Sequence, residues 1–261
     1  MLYYEHNQSK TNKGKFMTLN ERHNAILAEL KKNRTANVKE LAKQLFVSEA
    51  TIRRDLKEMQ TLGLIERSHG GAILPDNADE VSIFVRMTKN AKEKEKTATN
   101  ALAHIPDFRS VFIDSSSTAL ALAERMDLSF KTVVTNNLQT AVQLSKKQNV
   151  NLILLGGNVH FNTISATGSW TARQLEDFRF DLMICSCAAV LESEVIERSL
   201  EQKEIKLSAF LRSEKRILLI DHTKFSAHGT YKIGNLSDYD LVVTDAPPPQ
   251  NLLQENINFV Y

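Results

Sequence analysis

The chain has 261 residues, 42% of them hydrophobic and 25% charged, with a formal net charge of only +2. This composition is typical of globular domains and excludes wholesale disorder, and no apolar run approaches the roughly 18–20 residues that cross a membrane. The sequence opens without a signal-peptide pattern, and two cysteines, Cys185 and Cys187, do not make a disulfide framework. We therefore expect a cytoplasmic protein of one or two domains, with no membrane partner.

The charge is unevenly distributed along the chain. Residues 1–75 contain 13 Lys and Arg against 8 Asp and Glu, a net charge of +5, whereas residues 76–261 carry −3. A basic excess in a small unit is the electrostatic pattern of nucleic-acid-binding modules. With the polar turn Pro75–Glu80 as a boundary, the predicted organisation is a flexible tail at 1–16, an N-terminal domain at 17–75, a linker at 76–90 and a second domain at 91–261. Met17 is an alternative first residue.

Two capping patterns predict the first two helices. Thr18–Glu21 has the pattern of a capping box, in which the Thr hydroxyl and the Glu carboxylate each satisfy a backbone amide of the first turn. The apolar residues Ile26, Leu27 and Leu30 follow at helical spacing. Asn37–Glu40 repeats the capping pattern and opens a short second helix.

A third helix follows a tight turn at Phe46 and Val47. Ser48 is a suitable N-cap, and Gly63 stands where a glycine commonly follows a helix. The inward residues at helical spacing are apolar: Ile52, Leu56 and Met59. A helix, a tight turn and a second helix make the helix-turn-helix motif, whose second helix enters the major groove of DNA.

The outward face of the third helix is basic, since Thr51, Arg53, Arg54 and Lys57 remain outside the apolar stripe. Arginine reads guanine edges with two hydrogen bonds, and Ser and Thr contact bases or phosphates. Lys57 and one of the arginines are expected to neutralise phosphates. For a basic helix alone, a solvated face is the simpler reading. Because caps, turn and basic face coincide here, we predict DNA contacts at Ser48, Thr51, Arg53, Arg54 and Lys57.

A short hairpin is predicted beside this helix. Leu64–Arg67 reads as a strand, Ser68–Gly71 as a turn and Ala72–Leu74 as the returning strand. The hairpin forms a wing, and we expect Arg67 and His69 to lie near the DNA backbone or the minor groove.

These segments resemble the DeoR family of bacterial transcriptional regulators. The match rests on Ser48–Leu56, followed by Gly63–Arg67 and His69–Ala72, a recognition helix and a wing signature at the family's spacing. The resemblance implies an N-terminal winged helix-turn-helix that binds double-stranded operator DNA. It also implies a C-terminal domain that is similar to ribose-5-phosphate isomerase and senses a phosphorylated sugar or a related metabolite.

From about residue 91, helical patterns alternate with short apolar runs. Strands are predicted at 111–113, 132–134, 152–155, 182–185, 217–220 and 241–243, with a late edge strand at 257–260. Helices are predicted at 119–126, 138–147, 171–178 and 200–213. Short buried strands that alternate with helices indicate an α/β class domain with a doubly wound, mostly parallel sheet.

Polar or small residues follow nearly every predicted strand. The carboxyl ends of parallel strands share one edge of the sheet, where α/β folds bind ligands. Ser115–Thr118 offer hydroxyls and amides to a phosphate or a polyol, Gly156 and Gly157 permit close approach, and Lys224 can neutralise a phosphate. The expected effector contacts are Lys96, Asp114, Ser115, Ser116, Ser117, Thr118, Thr135, Asn136, Asn137, Gly156, Gly157, Asp221 and Lys224.

The resemblance extends across this second region, because these segments occur in family-like order and the family's corresponding loops line its effector pocket. Two departures stand out. Ser116 replaces a usual glycine, and Ser186–Ala189 replaces a Gly-x-x-Gly pattern after the fourth strand. A side chain where the backbone approaches a ligand is expected to narrow or redirect the pocket.

An enzyme, such as a sugar-phosphate isomerase, is the main alternative function. Asp114, Asp221, His160 and His222 are possible acid and base groups, but an enzyme would not need the N-terminal domain. No metal site is predicted at Cys185 and Cys187, because no Cys or His partner lies at a zinc-like spacing. We expect both to be buried strand cysteines that point to opposite faces.

The predicted function is a DNA-binding transcriptional regulator, with repression of a sugar-utilisation operon favoured over activation. It is expected to have no catalytic activity and no cofactor. Its predicted partners are operator DNA, a phosphorylated sugar and further copies of itself in a homo-dimer or homo-tetramer, because paired half-sites require paired recognition helices.

Overall fold

The computed structural model describes residues 19–61, 64–74, 82–160 and 162–261. The chain divides into two compact units, Met1–Pro75 and Asp76–Tyr261. The predicted capping residue Thr18, the helix-ending Gly63 and the turn at Pro75–Glu80 lie outside the described residues, as do the tail and part of the linker. Among the described helices, none combines the length and apolarity that a membrane crossing requires.

Helices and short strands alternate in the described part of the first unit. Its elements are α1 (Leu19–Asn33), β1 (Thr35–Asn37), α2 (Val38–Gln44), α3 (Glu49–Thr61), β2 (Glu66–Ser68) and β3 (Gly71–Ile73).

The core of this unit is built from the apolar stripes of α1 and α3. Ile26, Leu30, Ile52 and Leu56 are completely buried. The N-cap predicted at Asn37 is present, because its side chain accepts a hydrogen bond from the backbone N–H of Lys39 at 2.8 Å. The helix-turn-helix prediction is confirmed.

The wing is a three-stranded antiparallel sheet in the order β1-β3-β2. Ser68 belongs to a strand rather than to the turn, and β1 was not predicted. Gly71 is required where these strands meet, since a Cβ atom there would lie 2.0 Å from the carbonyl oxygen of Ala36. The wing is therefore fastened to the segment between α1 and α2.

The second unit contains the larger sheet and the helices that cover it. As far as it is described, its helices and the strands of its main sheet are α4 (Ile83–Thr88), α5 (Ala91–Leu102), β4 (Ser110–Ile113), α6 (Ser117–Ala123), β5 (Thr132–Thr135), α7 (Leu138–Leu144), β6 (Asn151–Leu154), α8 (Ser169–Gln174), β9 (Phe180–Cys185), α9 (Leu200–Leu211), β12 (Ser213–Ile220), β14 (Leu241–Thr244) and β15 (Phe259–Val260).

The remaining strands form smaller antiparallel sheets. They are β7 (Asn158–His160) with β8 (Ser165–Thr167), and β10 (Ala189–Leu191) with β11 (Glu194–Glu197) and β13 (Tyr231–Asn235). Sequence patterns missed these strands because they are short and do not form long apolar runs. One-turn helices occur at Leu175–Asp177, His222–Ser226, Leu236–Asp238 and Leu252–Gln254.

The seven described strands of the main sheet are all parallel, in the order β15-β14-β12-β9-β4-β5-β6. Alternate residues point to opposite faces, so Val111 and Ile113 pack in one apolar layer and Phe112 in the other. Both faces are covered, which confirms the predicted α/β class and the doubly wound sheet. The parallel strands bring their carboxyl ends to one edge.

Candidate DNA interface and ligand pocket

The helix α3 has one buried and one exposed face. Ile52, Leu56 and Met59 are completely buried, whereas Arg53, Arg54 and Lys57 are exposed and Thr51 is half-buried. The three basic side chains therefore stand on the surface opposite the core. This is the geometry that a helix needs to present cations to a DNA groove.

The beginning of α3 is fixed by two hydroxyl groups. Ser48 Oγ accepts a hydrogen bond from the backbone N–H of Thr51 at 3.1 Å, and the two hydroxyl oxygens lie 2.9 Å apart. Ser48 is therefore the helix cap. Both predicted hydroxyl contacts lie together at the end of α3 that approaches base edges in such motifs.

Arg53 is held loosely. Its guanidinium lies 3.2 Å from the Glu49 carboxylate one turn earlier, and its side chain is 54% exposed. Exposed pairs at this spacing are worth only about 0.3–0.5 kcal/mol, so a phosphate or a guanine can replace Glu49 at little cost.

A buried ion pair sets the position of α3 against α1. Asp55 is completely buried and accepts two hydrogen bonds from Arg22, from Nε at 2.7 Å and from Nη2 at 2.9 Å. His23 Nε2 lies 4.0 Å from the same carboxylate, and burial lowers the pKa of this histidine. Asp55 follows Ile52 by three residues and thus shares its face, a signal that the search for apolar residues overlooked.

The two wing residues that were predicted to meet DNA differ in their surroundings. Arg67 is half-buried and donates a long hydrogen bond, 3.4 Å, to the carbonyl oxygen of Arg53. His69 is exposed at the hairpin turn. Arg67 thus links the wing to α3, and His69 projects from it.

At the carboxyl edge of the main sheet, the second unit contains an open pocket of about 400 Å³. Of the predicted effector residues, Ser116, Ser117, Thr118, Asp221 and Lys224 line it. Ser115 lines a smaller adjoining cavity of about 70 Å³ together with Thr163 and Gln202. The structure therefore brings together the loops after β4 and β12, as strand-end ligand binding requires.

The larger pocket is strongly basic. Of its described lining residues, only Asp221 has a carboxylate, whereas the cationic ones are Arg86, Lys89, Lys94, Arg198 and Lys224. Four of these five cations were not predicted: Arg86 and Lys94 lie on α4 and α5, and Lys89 and Arg198 directly follow α4 and β11. Such an excess of positive charge attracts an anionic ligand.

Asp221, which lines this pocket, has one carboxylate oxygen without a hydrogen-bond partner among the described residues. Its Oδ1 receives hydrogen bonds from the Thr223 backbone N–H at 3.2 Å and from Asn90 Nδ2 at 3.4 Å. Its Oδ2 is buried and has no hydrogen-bond partner among the described residues. A buried carboxylate oxygen without a partner is costly, so any hydrogen-bond donor that reaches it is stabilising.

Asp114 lies under the pocket and is already fully engaged. Its Oδ1 accepts from the backbone N–H and the hydroxyl of Ser116, at 2.9 and 2.5 Å, and its Oδ2 from the Ser186 N–H at 3.1 Å. Lys206 Nζ is 3.0 Å from the same Oδ2. Asp114 therefore organises the loops after β4 and β9, and it does not line the pocket in which a direct effector contact was predicted.

Lys206 joins two carboxylates in the interior. Its ammonium lies 2.5 Å from Glu197 Oε1 and donates to the Ser186 carbonyl oxygen at 2.6 Å. Burial alone would lower the pKa of Lys206, but Asp114 and Glu197 raise it above its ordinary value. Sequence reasoning missed this network, although Lys206 follows Ile205 and precedes Ala209 on the buried side of α9.

The Ser116 hydroxyl points toward Asp114 and also accepts from the Ala119 N–H at 3.2 Å, which makes Ser116 the N-cap of α6. Ser116 lines this pocket of about 400 Å³, as do Ser186, Cys187 and Ala188 of the second departure. The expected narrowing therefore does not close the site.

Lys96 lies away from this pocket. Its ammonium donates a hydrogen bond to the carbonyl oxygen of Asp245 at 2.5 Å. Lys94, two residues earlier, lines the pocket instead. The expectation that Lys96 turns into the site is therefore corrected. The physical reason is the helical rotation of about 200° between the two lysines, since α5 advances 3.6 residues per turn.

The loop after β5 supports the neighbouring hairpin rather than the pocket. Thr135, Asn136 and Asn137 are completely buried. Asn136 Nδ2 donates to the Ala166 carbonyl at 2.9 Å, and Asn137 Nδ2 donates to that of Thr163 at the same distance. These residues hold the segment of β8 in place.

Gly156 and Gly157 pack against α8. The Gly156 carbonyl accepts from Thr171 Oγ1 and Gln174 Nε2, each at 2.9 Å. A Cβ atom at Gly157, whose φ is +147°, would lie 2.0 Å from Thr171 Oγ1. The close approach that these glycines permit is therefore to a helix, and neither lines the described pocket.

The acid and base groups of the enzymatic alternative do not converge. Asp114 is bound to Lys206, and His160 is exposed on β7. His222 Nδ1 lies 2.8 Å from Asp245 Oδ2, which raises the pKa of this histidine.

Cys185 and Cys187 are both buried in the same apolar layer, so the prediction of opposite faces was wrong: residues two apart in an extended chain share a face. Burial raises the pKa of the Cys187 thiol to about 12. Over the described residues, no three His, Cys, Asp or Glu side chains are grouped as metal ligands.

Two protein-family models match the chain. A DeoR-like helix-turn-helix domain matches residues 22–78, and a DeoR C terminal sensor domain matches residues 89–246. The second match alone covers more than half of the chain.

Known proteins are similar over nearly the whole length. The chain is 34% identical over 228 residues to the HTH-type transcriptional regulator GolR of Listeria innocua, covering 86% of this chain and 90% of that protein. It is 32% identical over 240 residues to the glycerol-3-phosphate regulon repressor of Escherichia coli, covering 91% and 95%. Among solved structures, ribose 5 phosphate isomerase A from Neisseria gonorrhoeae is similar at 15% identity and a TM-score of 0.37, covering 52% of this chain and 53% of that one.

Proposed function

Because the chain belongs to the DeoR family of transcriptional regulators, we propose that it represses a sugar-utilisation operon and that a phosphorylated sugar controls its binding to operator DNA. The family membership makes it a regulator with a DNA-binding domain and a sensor domain, not an enzyme. The class of effector, the residues that contact DNA and effector, and the oligomeric state are proposals.

The DNA contacts that we propose are those of α3 and the wing. Arg53, Arg54 and Lys57 are exposed on one face, and Ser48 and Thr51 lie at the start of the same helix. Arg67 and His69 belong to the hairpin that follows. A dimer or tetramer supplies the paired recognition helices that paired half-sites require. The protein would act in the cytoplasm, where bacterial DNA lies.

The basic pocket is the observation that carries the effector class. Five cations around about 400 Å³ favour a small anion, and the unpartnered Asp221 Oδ2 favours a ligand that also donates a hydroxyl. A phosphorylated polyol has both groups. The similarity to a glycerol-3-phosphate regulon repressor supports the same class.

The proposed mechanism is a population shift. An effector changes operator affinity only if it binds one conformation of the regulator more tightly than the other. If the effector releases the repressor from DNA, the conformation of the sensor domain that the effector favours must be one in which the paired recognition helices no longer fit the operator.

Lys224→Ala is expected to weaken effector binding about tenfold or more, because a hydrogen bond to a charged group contributes about 1.5–3 kcal/mol. Isothermal titration of the full chain with glycerol 3-phosphate and glucose 6-phosphate measures this effect. Lys232→Ala, which removes an exposed lysine paired with Glu194 at 2.7 Å, is the matched control. An unchanged effector affinity in Lys224→Ala would show that this lysine does not belong to the site. Without effector, Lys224→Ala should bind the operator with the same affinity as the wild type.

A further inference from the structure

The corner between α4 and α5 lies at the basic pocket. In chain order, α4 is the first described element after the DNA-binding unit, and it contributes Arg86 to the pocket wall. Lys89 and Asn90 form the turn that follows, and both also line the pocket. The first described helix of the second unit and the turn after it thus form part of the ligand site.

Lys94 closes the end of α4. Its ammonium donates hydrogen bonds to the carbonyl oxygens of Arg86 and, at 2.6 Å, of Lys89. These carbonyls belong to the last turn and the end of the helix, where backbone acceptors lack helical partners and a cation is favourable. Only 7% of Lys94 is exposed, so its hydrogen bonds are sheltered from water.

Asn90 ties the same corner to the opposite wall. Its backbone has φ +53°, a left-handed conformation that asparagine tolerates better than most residues. Its side-chain amide donates to Thr223 Oγ1 at 3.0 Å and to Asp221 Oδ1 at 3.4 Å. Two side chains that line the pocket, Lys94 and Asn90, therefore help to hold the C-terminal end of α4. The Ser117 hydroxyl also donates to the Arg86 carbonyl oxygen, at 3.3 Å.

We propose that Lys94 is a positioning residue of the effector response: by capping α4 it holds Arg86 and Lys89 at the pocket and links pocket occupancy to α4, the first described helix after the DNA-binding unit. The inference rests on the proposed function. An anionic ligand in the pocket competes with the two carbonyl oxygens for the Lys94 ammonium, and this competition changes how firmly α4 is held.

The direct test compares full-length wild type with Lys94→Met, which keeps the aliphatic stem and removes the donor. Operator affinity is measured with and without saturating glycerol 3-phosphate, and the shift in Tm reports whether the probe is bound. Wild type is expected to show a large ratio between the two affinities, within the range of about 5–150-fold that is typical of allosteric coupling. In Lys94→Met the ratio should fall at least fivefold, while operator affinity without probe is retained. The exposed Lys92, in the first turn of α5, provides the control Lys92→Met, which should match the wild type.

The possible outcomes distinguish a failure of the role of Lys94 from a failure of the proposed function. A wild-type ratio in Lys94→Met, together with a probe-induced Tm shift, overturns the role of Lys94 and leaves the proposed function standing. If the wild type itself shows neither a Tm shift nor a change in operator affinity with any phosphorylated sugar tested, both fail. If Lys94→Met does not fold, Lys94→Gln decides instead, since its amide still donates one hydrogen bond; it should retain an intermediate ratio, and a full wild-type ratio contradicts the proposal.

The pH dependence of the ratio distinguishes this role from a merely structural one. Burial lowers the pKa of Lys94 to about 8; Asp221 opposes this shift, while Lys224, Arg86 and Lys89 add to it. The capping ammonium therefore predominates at pH 7 and is largely lost at pH 9. The wild-type ratio should fall over this interval, in which a phosphate ester is already mostly dianionic and changes its charge little. The ratio in Lys94→Met should not change, and equal pH profiles for the two proteins contradict the proposal.

Discussion

Lys206→Met is expected to destabilise the second unit by about 3–5 kcal/mol, the usual cost of removing one partner from a buried ion pair. The lysine stands between Asp114 and Glu197, at 3.0 and 2.5 Å, and all three side chains are buried. Without it, two carboxylates remain in the interior near each other, and the Ser186 carbonyl loses its partner. Urea unfolding of the full chain, followed by a probe of the second unit, measures the loss.

Two further variants isolate the electrostatic cause. Lys203→Met removes a partly exposed lysine from the same helix and should change the free energy of unfolding by less than about 0.5 kcal/mol, as surface substitutions do. Lys206→Met/Glu197→Met also removes one of the unpaired carboxylates. The double variant should be more stable than Lys206→Met alone, since Asp114 keeps its bonds to Ser116 and Ser186. A double variant less stable than the single one would refute the unpaired-charge explanation.

The double substitution Arg53→Ala/Arg54→Ala is expected to weaken operator binding at least 100-fold. Each well-placed arginine contact contributes about 1–3 kcal/mol to discrimination, and phosphate contacts add affinity that depends on salt. Both side chains are exposed, so the Tm should remain close to that of the wild type. Fluorescence anisotropy with an operator selected by the wild-type protein from random DNA measures the loss.

A matched control separates local contacts from overall charge. Lys92→Ala/Lys146→Ala removes two exposed lysines from the second unit and lowers the net charge equally. It should bind the operator nearly as the wild type does. Wild-type affinity in the arginine double variant would sink the assignment of α3 as the recognition helix.

The sequence predicts the elements that bury continuous apolar patterns. The runs at 111–113, 132–134 and 217–220 are all strands of the main sheet, because a strand covered on both faces must be apolar throughout. The caps at Asn37 and Ser48 were found for a similar reason: a short polar side chain before an amphipathic run has a local function. Short antiparallel strands such as β1 and β10 depend on partners distant in sequence, and no local pattern identifies them.

The site was only partly predictable for the same physical reason. Ser116 and Lys224 were found because strand ends are recognisable from the sequence. Arg86, Lys94 and Arg198 were not, because which side of a helix or strand faces the pocket depends on tertiary packing. The pairing of Lys206 with Asp114 and Glu197 joins three separate elements, and only the folded chain brings them together.

In the proposed mechanism, one chain couples operator binding to an anionic ligand in the sensor pocket. This coupling is measured by titrating the full-length protein against its selected operator, with and without glycerol 3-phosphate or glucose 6-phosphate at saturating concentration. We predict tight, sequence-selective binding whose affinity changes at least tenfold with one of these phosphorylated sugars. In Lys224→Ala the same change should require at least about tenfold more ligand. Equal operator affinity with and without every phosphorylated sugar tested would contradict it.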